Sequence, residues 1–367
     1  MSFRRFLYLV ADDCVDRSYS LRRIDMSRLF FRPSTVGDQP SPTPLDSSGG
    51  AGAADPSATE DGGRLPDPTM ILSTPDMMHA RGSIHFMPFK NKGSGEHCKV
   101  FTMDHTGRAL MCDPGLPPAV SHMPSLAGGK FAPFSLTVGD SLYVMDAYPK
   151  PAGPKRHSFE VLTYDAYDSF IYKEWYWHPL NPPPYMYGPH DSSQYVESYA
   201  VVAGSNMVIS NKAAAETYCF DTVKSTWRKA GDWALPFTRL AEYDPEHKLW
   251  FGISSLDDGY RFCAANLIDA SGEMRPPVVH GFWKEYVEPP PEWSLAWSYA
   301  VPLGSSKFCI IRLFEVVTIH VCSKSRTDEL QAVLTGVEVQ SCGEELRVVK
   351  HKSERYKLDV TVDYRVL

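Results

Sequence analysis

A short, mainly apolar stretch that ends in aspartate recurs four times along this chain of 367 residues. The four copies occupy residues 101–104, 162–165, 218–221 and 266–269, at intervals of 61, 56 and 48 residues. A tryptophan follows three of them, as Trp177, Trp227 and Trp283. Runs rich in Val, Ile, Tyr, Phe and Trp surround each copy and are separated by Gly, Pro and Asp, a pattern typical of strands. The chain is therefore predicted to be all-β and built from units of about 50 residues.

Four strands in about 50 residues is the period of a kelch-type β-propeller blade. A lone blade has two apolar faces and can bury them only by stacking on neighbours around a ring. We therefore predict a single all-β domain over residues 1–367, a kelch-type β-propeller of about six four-stranded blades, with seven blades as the alternative. The five internal blades are expected at residues 70–118, 131–184, 196–237, 238–291 and 294–342.

The sixth blade is expected to be built from both ends of the chain. Residues 6–10 and 19–25 would lie beside residues 346–349 and 356–362, so that N- and C-terminal strands close the ring without an open edge. Each repeat aspartate is expected to accept hydrogen bonds from the amides of the following turn, and each repeat tryptophan to fill the gap between blades.

Residues 33–69 interrupt the repeat with a segment of different composition. The segment consists mainly of Pro, Ser, Gly, Ala, Thr and Asp, and it carries six acidic residues against the single base Arg64. Such a composition cannot bury enough apolar surface to offset its ordering entropy. The sequence therefore predicts a disordered acidic insert at residues 33–69, either a tolerated spacer or a regulatory or docking segment.

Composition excludes several classes of partner. A pI of about 5.9 and a net charge of −7 lack the basic footprint of a nucleic-acid binder. No stretch approaches the 18 apolar residues of a membrane span. Eight cysteines without a CxxC pair favour an intracellular protein over a disulfide-stabilised secreted one. We expect a monomer in the cytoplasm or nucleus that binds neither nucleic acid nor a membrane.

Proline-rich connections between predicted blades give the candidate binding site. They lie at residues 116–118, 182–184 and 289–291, and aromatic residues flank the last two. Tyr and Trp are enriched at interface hot spots, and rigid prolines lose little entropy on binding. The alternative is that proline stiffens a crossover while the aromatics pack inward. Of the flanking aromatics, which include Tyr195 and Trp297, four are predicted to bind a partner on a shared rim: Tyr185, Tyr187, Tyr286 and Trp293.

Catalytic constellations are sparse. The spacing of His79, His85, His97 and His105 fits no zinc motif, and the adjacent residues 190–192 (His-Asp-Ser) cannot present three side chains in relay geometry. We therefore predict no catalytic residues, no metal ligands and no cofactor, and expect that the protein is not an enzyme.

Residues 5–10, 20–31 and 82–89, together with the repeated strands, resemble a large family of uncharacterised monocot plant proteins. That family is a domain of unknown function related to kelch and F-box-associated propellers. The resemblance implies a kelch-like fold and a plant source, and it supplies no activity and no functional residues.

Two functions remain open at this point. The first is a non-enzymatic protein-interaction scaffold that binds a protein or peptide partner of unknown identity on one propeller face. The alternative is a copper-dependent oxidase resembling galactose oxidase, a kelch propeller that holds copper with tyrosine and histidine side chains.

Overall fold

The structure is a computed structural model that describes most of the chain. The described residues are 4–30, 43–45, 63–73, 82–90, 98–115, 117–148, 157–166, 173–187, 195–283, 289–318, 326–343, 345–360 and 362–367. They divide into two compact units, each described by itself below. Unit 1 comprises Met1–Ile71, Asp244–Ala265 and Val279–Leu367, and unit 2 comprises Leu72–Tyr243 and Asn266–Val278.

The described chain is all-β, with the short helix α1 (Ser27–Phe30) and two 3-10 turns at Pro184–Tyr187 and Leu256–Asp258. The first strands in chain order are β1 (Phe6–Asp13), β2 (Ser18–Asp25), β3 (Thr43–Leu45), β4 (Pro68–Ser73), β5 (Ile84–Phe89), β6 (Lys99–Asp104), β7 (Ala109–Asp113), β8 (Ala119–Met123), β9 (Pro133–Val138), β10 (Ser141–Asp146), β11 (Phe159–Ala166) and β12 (Lys173–Pro179). They are followed by β13 (Ser198–Val202), β14 (Asn206–Asn211), β15 (Glu216–Asp221), β16 (Thr226–Gly231), β17 (Thr238–Asp244), β18 (Leu249–Ile253), β19 (Phe262–Ile268), β20 (Met274–Trp283), β21 (Trp293–Gly304), β22 (Lys307–Thr318), β23 (Arg326–Cys342), β24 (Glu345–Leu358) and β25 (Val362–Val366).

Unit 2 contains three antiparallel groups of four strands, β5–β8, β9–β12 and β13–β16, each paired in chain order. Their alternating apolar residues form cores between successive sheets. Phe89 and Phe101 of the first group share a buried cluster with Leu142 and Leu162 of the second. Phe159 of the second group shares another with Phe220 of the third. Face-to-face stacking therefore buries the apolar faces that each sheet alone would expose.

The first strands of these groups lie side by side. Phe134 of β9 stacks on Tyr199 of β13 at 4.2 Å between ring centroids. Strand β13 also pairs in parallel with β17, with Ser198 opposite Arg239. Both edges of β13 are therefore hydrogen-bonded, because its other edge pairs with β14.

Unit 1 is organised in the same way. Strands β21, β22, β23, β24 and β3 form one sheet in that order. On one side this sheet packs against β18 and β19, where Phe251 and Phe308 lie in one buried cluster. On the other side it packs against β1, β2 and α1, where Leu9 and Leu313 share another.

Strands from the two ends of the chain pair in unit 1, as predicted. The order of this sheet is β25-β1-β2-β4, and Leu9 lies opposite Val366. The predicted C-terminal partners were wrong, because residues 346–349 and 356–358 belong to the long strand β24, which pairs with β23. The first predicted internal blade also began too early, because β4 joins the terminal sheet and leaves β5–β8 as a separate one.

Three of the four repeat aspartates cap turns, as predicted; the turn after Asp165 lies outside the described residues. Asp104 Oδ1 accepts hydrogen bonds from the amide of Thr106 at 2.8 Å and from that of Arg108 at 3.0 Å. Asp221 and Asp269 bind the amides of their own turns in the same way. These bonds stabilise the carboxylate form, so the pKa of Asp221 and of Asp269 lies below its ordinary value.

The tryptophans that follow in unit 2 bridge neighbouring sheets. Trp177 of β12 packs edge-on against Phe101 of β6 at 5.6 Å between ring centroids. Trp227 of β16 lies 5.7 Å from Phe159 of β11, and its indole nitrogen donates to Asn181 O at 2.8 Å. The predicted gap-filling role is confirmed for these two residues.

Most of the predicted acidic insert, residues 33–69, lies outside the described residues. Two parts of it are described. Residues 43–45 form β3 beside β24. Residues 63–67 lead into β4, which includes residues 68 and 69, and Gly63 forms an isolated β-bridge with Tyr356. For the described part of the chain, no helix has the length and apolar character needed to cross a membrane.

Candidate functional site

Three exposed aromatic side chains lie together in unit 2, and we call them the aromatic patch. Phe131, Tyr148 and Tyr195 are 60%, 41% and 38% exposed. The ring centroids of Phe131 and Tyr148 are 5.9 Å apart, and those of Tyr148 and Tyr195 are 4.8 Å apart. Tyr148 thus contacts both of the other rings. Contiguous exposed apolar surface of this kind marks interaction sites.

Hydrogen bonds from backbone amides join the three segments that carry the patch. The amide of Phe131 donates to the buried carboxylate of Asp146 at 2.7 Å. The amide of Ala147 donates to Ala132 O at 3.3 Å, and the amide of Val196 donates to Ala147 O at 2.8 Å. The rings therefore project from the start of β9, the end of β10 and the approach to β13, which are fixed to one another. A surface ordered in this way loses little conformational entropy when a partner binds.

A buried ion pair holds the loop that enters the patch. Lys130 and Glu160 form a salt bridge with both side chains at most 2% exposed. The ammonium group of Lys130 also donates to His157 O at 2.6 Å, and Glu160 accepts from the amide of Ala127 at 3.2 Å. Because Lys130 directly precedes Phe131, these bonds fix the position of the backbone that carries the Phe131 ring.

Charged groups also lie near Tyr195. Partial burial raises the pKa of the Tyr195 hydroxyl, and the neighbouring Tyr148 and Glu197 raise it further while Arg239 lowers it. The net shift of the pKa is upward. The hydroxyl is protonated at neutral pH, as in any tyrosine, and can donate a hydrogen bond.

The structure places Tyr185 differently from the sequence-based expectation of an exposed rim. Tyr185 lies in the 3-10 turn at Pro184–Tyr187, packs against Tyr218 at 5.0 Å between ring centroids, and is half-buried. Burial raises its pKa, and the nearby Tyr218 and Glu216 add to that shift. Pro182 and Pro183, which precede the turn, are buried as well. For Tyr187 the structure describes the backbone only, as part of the same turn.

Trp293 is half-buried in unit 1, where the Arg355 guanidinium lies 4.3 Å from its ring centroid and the Phe314 ring lies 5.3 Å away. A cation over an indole face is a favourable contact. Tyr286 lies outside the described residues. The partner-binding role of the four predicted residues stays a prediction, and the structure does not bring Tyr185 and Trp293 together within one unit.

A cluster of catalytic residue types lies at a turn in unit 1. Asp244 Oδ2 is 2.6 Å from His247 Nδ1, and Ser306 Oγ is 3.2 Å from the same nitrogen. In a catalytic triad the acid and the nucleophile bind opposite ring nitrogens. Ser306 Oγ also lies 2.9 Å from Asp244 Oδ2 and 2.8 Å from Glu246 Oε2, so its single proton can be donated to either carboxylate. This geometry joins two turns and does not form a proton relay.

Among the residues that the structure describes, no group of three or more His, Cys, Asp or Glu side chains could hold a metal ion. The copper-oxidase alternative and the expectation of no catalytic residues and no cofactor both stay predictions.

Sequence reasoning noted Tyr195 beside the proline-rich connection and missed Phe131 and Tyr148. The sequence feature that the three residues share is their position, because each lies within three residues of a strand end. Phe131 precedes β9, Tyr148 follows β10 and Tyr195 precedes β13. Single aromatics next to strand ends are common, so only the arrangement of the strands shows that these three meet.

Comparison with known proteins identifies a family. The model of the family described as "Protein of unknown function (DUF1668)" matches residues 4–356. No curated protein matches the chain.

Several solved structures are weakly similar. An auxiliary nutrient binding protein from Bacteroides ovatus ATCC 8483 is 8% identical with a TM-score of 0.36, covering 69% of this chain and 53% of that one. Kuenenia stuttgartiensis hydrazine synthase is 14% identical with a TM-score of 0.36, covering 72% and 65%. An auxiliary nutrient binding protein from Bacteroides thetaiotaomicron VPI-5482 is 9% identical with a TM-score of 0.37, covering 72% and 56%. This chain spans less than two thirds of each, and TM-scores this low support no argument about its fold or function.

Proposed function

The chain belongs to the DUF1668 family of proteins of unknown function, and we propose that it is a non-enzymatic interaction scaffold that binds a protein or peptide partner through the aromatic patch. The observation that carries the proposal is the group of three exposed rings in contact on a hydrogen-bonded support. Large rigid aromatic side chains provide contact area at a low entropy cost.

The four-stranded sheets support a kelch-type β-propeller of about six blades, closed by the terminal strands, as the architecture of this scaffold. In such a fold the loops at one end of the strands share a face, which is where we place the partner. We further propose a plant protein that acts as a monomer in the cytoplasm or nucleus, without direct contact to nucleic acid or a membrane.

Site-specific photo-crosslinking tests the proposal. A photoreactive phenylalanine analogue replaces Tyr148 in the full chain, and in a control chain it replaces Tyr164, a 49% exposed tyrosine of β11. Both chains are irradiated in an extract of the cells that produce the protein. We expect a protein adduct from position 148 that is absent from position 164 and is suppressed by an excess of the unmodified chain.

The captured partner is then purified and its affinity measured by calorimetry. Replacing all three patch residues with alanine is expected to weaken binding at least 100-fold, because interface aromatics are frequent hot spots. Thermal unfolding of this variant should stay within a few degrees of the unmodified protein. Unchanged affinity would reject the patch as the binding site.

The same assay tests the residues predicted from sequence. Tyr185→Ala and Trp293→Ala would support a binding role if they weaken partner binding without changing thermal stability. Because both side chains pack against neighbouring residues, a lower unfolding temperature with unchanged affinity of the folded fraction would assign them to packing.

A further inference from the structure

We propose that the edge of β24 that faces away from β23 is a strand-addition site for an extended acidic segment, and that residues 43–45 of this chain occupy it in competition with a partner. This surface belongs to unit 1, so it is separate from the aromatic patch of unit 2 and goes beyond the proposed function. The proposal follows from how little of the edge is covered, from the shortness of the strand that covers it and from the charge of β24.

Strand β24 is paired along its whole length on one edge and along a small part of the other. It is paired with β23 from Glu345 to Leu358. On the opposite edge, the described part of the chain contributes β3, at residues 348–350, and the amide of Gly63, which donates to Arg355 O at 2.8 Å. No other described residue pairs with this edge. Exposed backbone groups of an edge strand are a template for another strand.

Strand β3 is a weak occupant of this edge. It has three residues, and Pro44 at its centre has no N–H, so only the amides of Thr43 and Leu45 can donate to β24. Each backbone hydrogen bond adds little net free energy, so a strand that makes few of them is readily exchanged. Because β3 belongs to the same chain, its local concentration is high. A partner therefore displaces it by pairing over a longer stretch.

The charge of β24 favours an acidic strand. Its five bases and two acids give a net charge of +3: Arg347, Lys350, Lys352, Arg355 and Lys357 against Glu345 and Glu354. Strand β3 comes from residues 33–69, whose six acids and one base give −5. Opposite charges on facing residues of two strands attract. Charge complementarity and backbone pairing therefore direct the same kind of segment to this edge, as in other cases of strand addition.

Two of the bases on β24 define the length and the charge pattern of the partner. Lys357 is engaged with Glu329 of β23, whereas Arg347 and Lys352 are exposed and pair with no described carboxylate. They lie one and two positions beyond the two ends of the stretch that β3 covers. A strand of six residues in the register of β3 would face both bases. Acidic side chains at its first and last positions would then pair with them.

Fluorescence anisotropy with a labelled peptide of residues 38–48 tests the proposal. In the open variant of the full chain, seven Gly and Ser residues replace residues 41–47. The control variant has the same replacement at residues 50–56, and each replacement removes one aspartate. We expect saturable binding to the open variant, and at least tenfold weaker binding to the control variant and to the unmodified chain, because their own β3 competes. Equal binding by the two variants, or no saturation at millimolar peptide, would overturn the proposal.

A modified peptide tests backbone pairing. N-methylation of the amides of Thr43 and Leu45 removes the donors of the added strand and leaves its charge unchanged. Binding to the open variant should weaken at least tenfold. An N-methylated peptide that binds as well as the unmodified peptide would reject strand addition.

Charge exchange tests the register. In the peptide, Ser41→Glu should tighten binding to the open variant about threefold, because it places an acid opposite Lys352, and Asp46→Lys should weaken it about threefold. Adding Arg347→Glu to the open variant should reverse the second preference, so that the Asp46→Lys peptide binds more tightly than the natural one. The same preference in both proteins would overturn the proposal.

Hydrogen exchange on the unmodified chain does not depend on the folding of a variant. An excess of the Ser41→Glu peptide should speed exchange at the amides of Thr43 and Leu45, because they leave the edge, while residues 348–350 stay protected. Unchanged exchange at Thr43 and Leu45 would overturn the proposal. A second copy of the chain is the other possible occupant. A dimer in ultracentrifugation that is lost in the open variant would assign the edge to self-association and overturn the proposed partner.

Discussion

Replacing Lys130 with methionine should strongly destabilise unit 2. Lys130 is fully buried and binds two acceptors, the Glu160 carboxylate and the carbonyl oxygen of His157. Methionine fills a similar volume without charge, so the variant leaves the Glu160 carboxylate at 2% exposure with its countercharge removed. The amide of Ala127 remains a donor to that carboxylate.

The magnitude follows from the burial of the pair. Removing one partner of a buried salt bridge costs about 3–5 kcal/mol, because the remaining charge stays in a poorly solvated place. For a folding unit of this size, 1 kcal/mol corresponds to roughly 2–4 °C in the unfolding midpoint. Lys130→Met should therefore lower the midpoint of unit 2 by about 10 °C.

A double-mutant cycle distinguishes this explanation from a simple loss of packing. Glu160→Gln alone leaves the Lys130 ammonium buried without its countercharge and should cost a similar amount. The double variant Lys130→Met with Glu160→Gln contains neither charge, so it should be more stable than the sum of the two effects by at least about 2 kcal/mol.

Urea unfolding followed by hydrogen exchange is the appropriate assay, because the chain contains two units and exchange assigns the lost protection to one of them. We expect the loss in residues 124–132 and 157–162, and a weaker affinity of the aromatic patch for its partner, since Phe131 follows Lys130. Additive effects in the cycle, or a Lys130→Met variant with unchanged stability, would refute the argument.

Three further variants probe close contacts and acid stability. Gly129→Ala should lower the unfolding midpoint by about 5–10 °C in a thermal scan, because a Cβ atom there would lie 1.8 Å from His105 O; an unchanged midpoint would contradict the contact. Trp227→Phe should cost about 1 kcal/mol by urea unfolding, because it removes the indole donor to Asn181 O, and faster exchange in residues 180–187 should accompany it. The serine hydroxyl and the amides of its turn lower the pKa of Asp269 to about 2, so its contribution is present above about pH 4 and is lost as the pH falls toward 2. Asp269→Asn should therefore flatten the decline of the unfolding midpoint between pH 4 and pH 2, and an identical pH profile would argue against the turn.

The repeat could be predicted from sequence because its aspartate and tryptophan lie close in sequence to the turn and the strands that they mark. An aspartate that caps a turn needs only the next few amides, and the tryptophan that follows lies on an outer strand of the same sheet. The limits of the sheets could not be predicted in the same way. Residues 350–355 are mostly polar and separate two apolar runs, which suggests two strands. In the structure β24 continues through them, because the 17-residue strand β23 provides hydrogen-bond partners along this whole length.

The candidate site depended on contacts that sequence does not show. Tyr185 and Tyr195 flank the same proline-rich connection, and the sequence gives no reason to prefer one of them as a binding residue. Tyr185 follows buried prolines that turn it toward Tyr218, whereas Tyr195 lies just before β13 and meets Tyr148, 47 residues earlier in the chain. Which of the two is available to a partner is therefore decided by the arrangement of the strands.

Substitutions in the aromatic patch should weaken partner binding more than they lower the stability of the fold, and the exposure of its rings explains why. Other aromatic rings in unit 2 are buried against one another, as Phe159 is against Phe220 at 5.0 Å between ring centroids. Phe131 instead leaves 60% of its surface in water, so folding forgoes on the order of 2–3 kcal/mol that burial of the ring would provide. That free energy becomes available only when another molecule covers the ring. The patch can therefore contribute to a complex what it does not contribute to the fold, and alanine at these positions should affect the complex first.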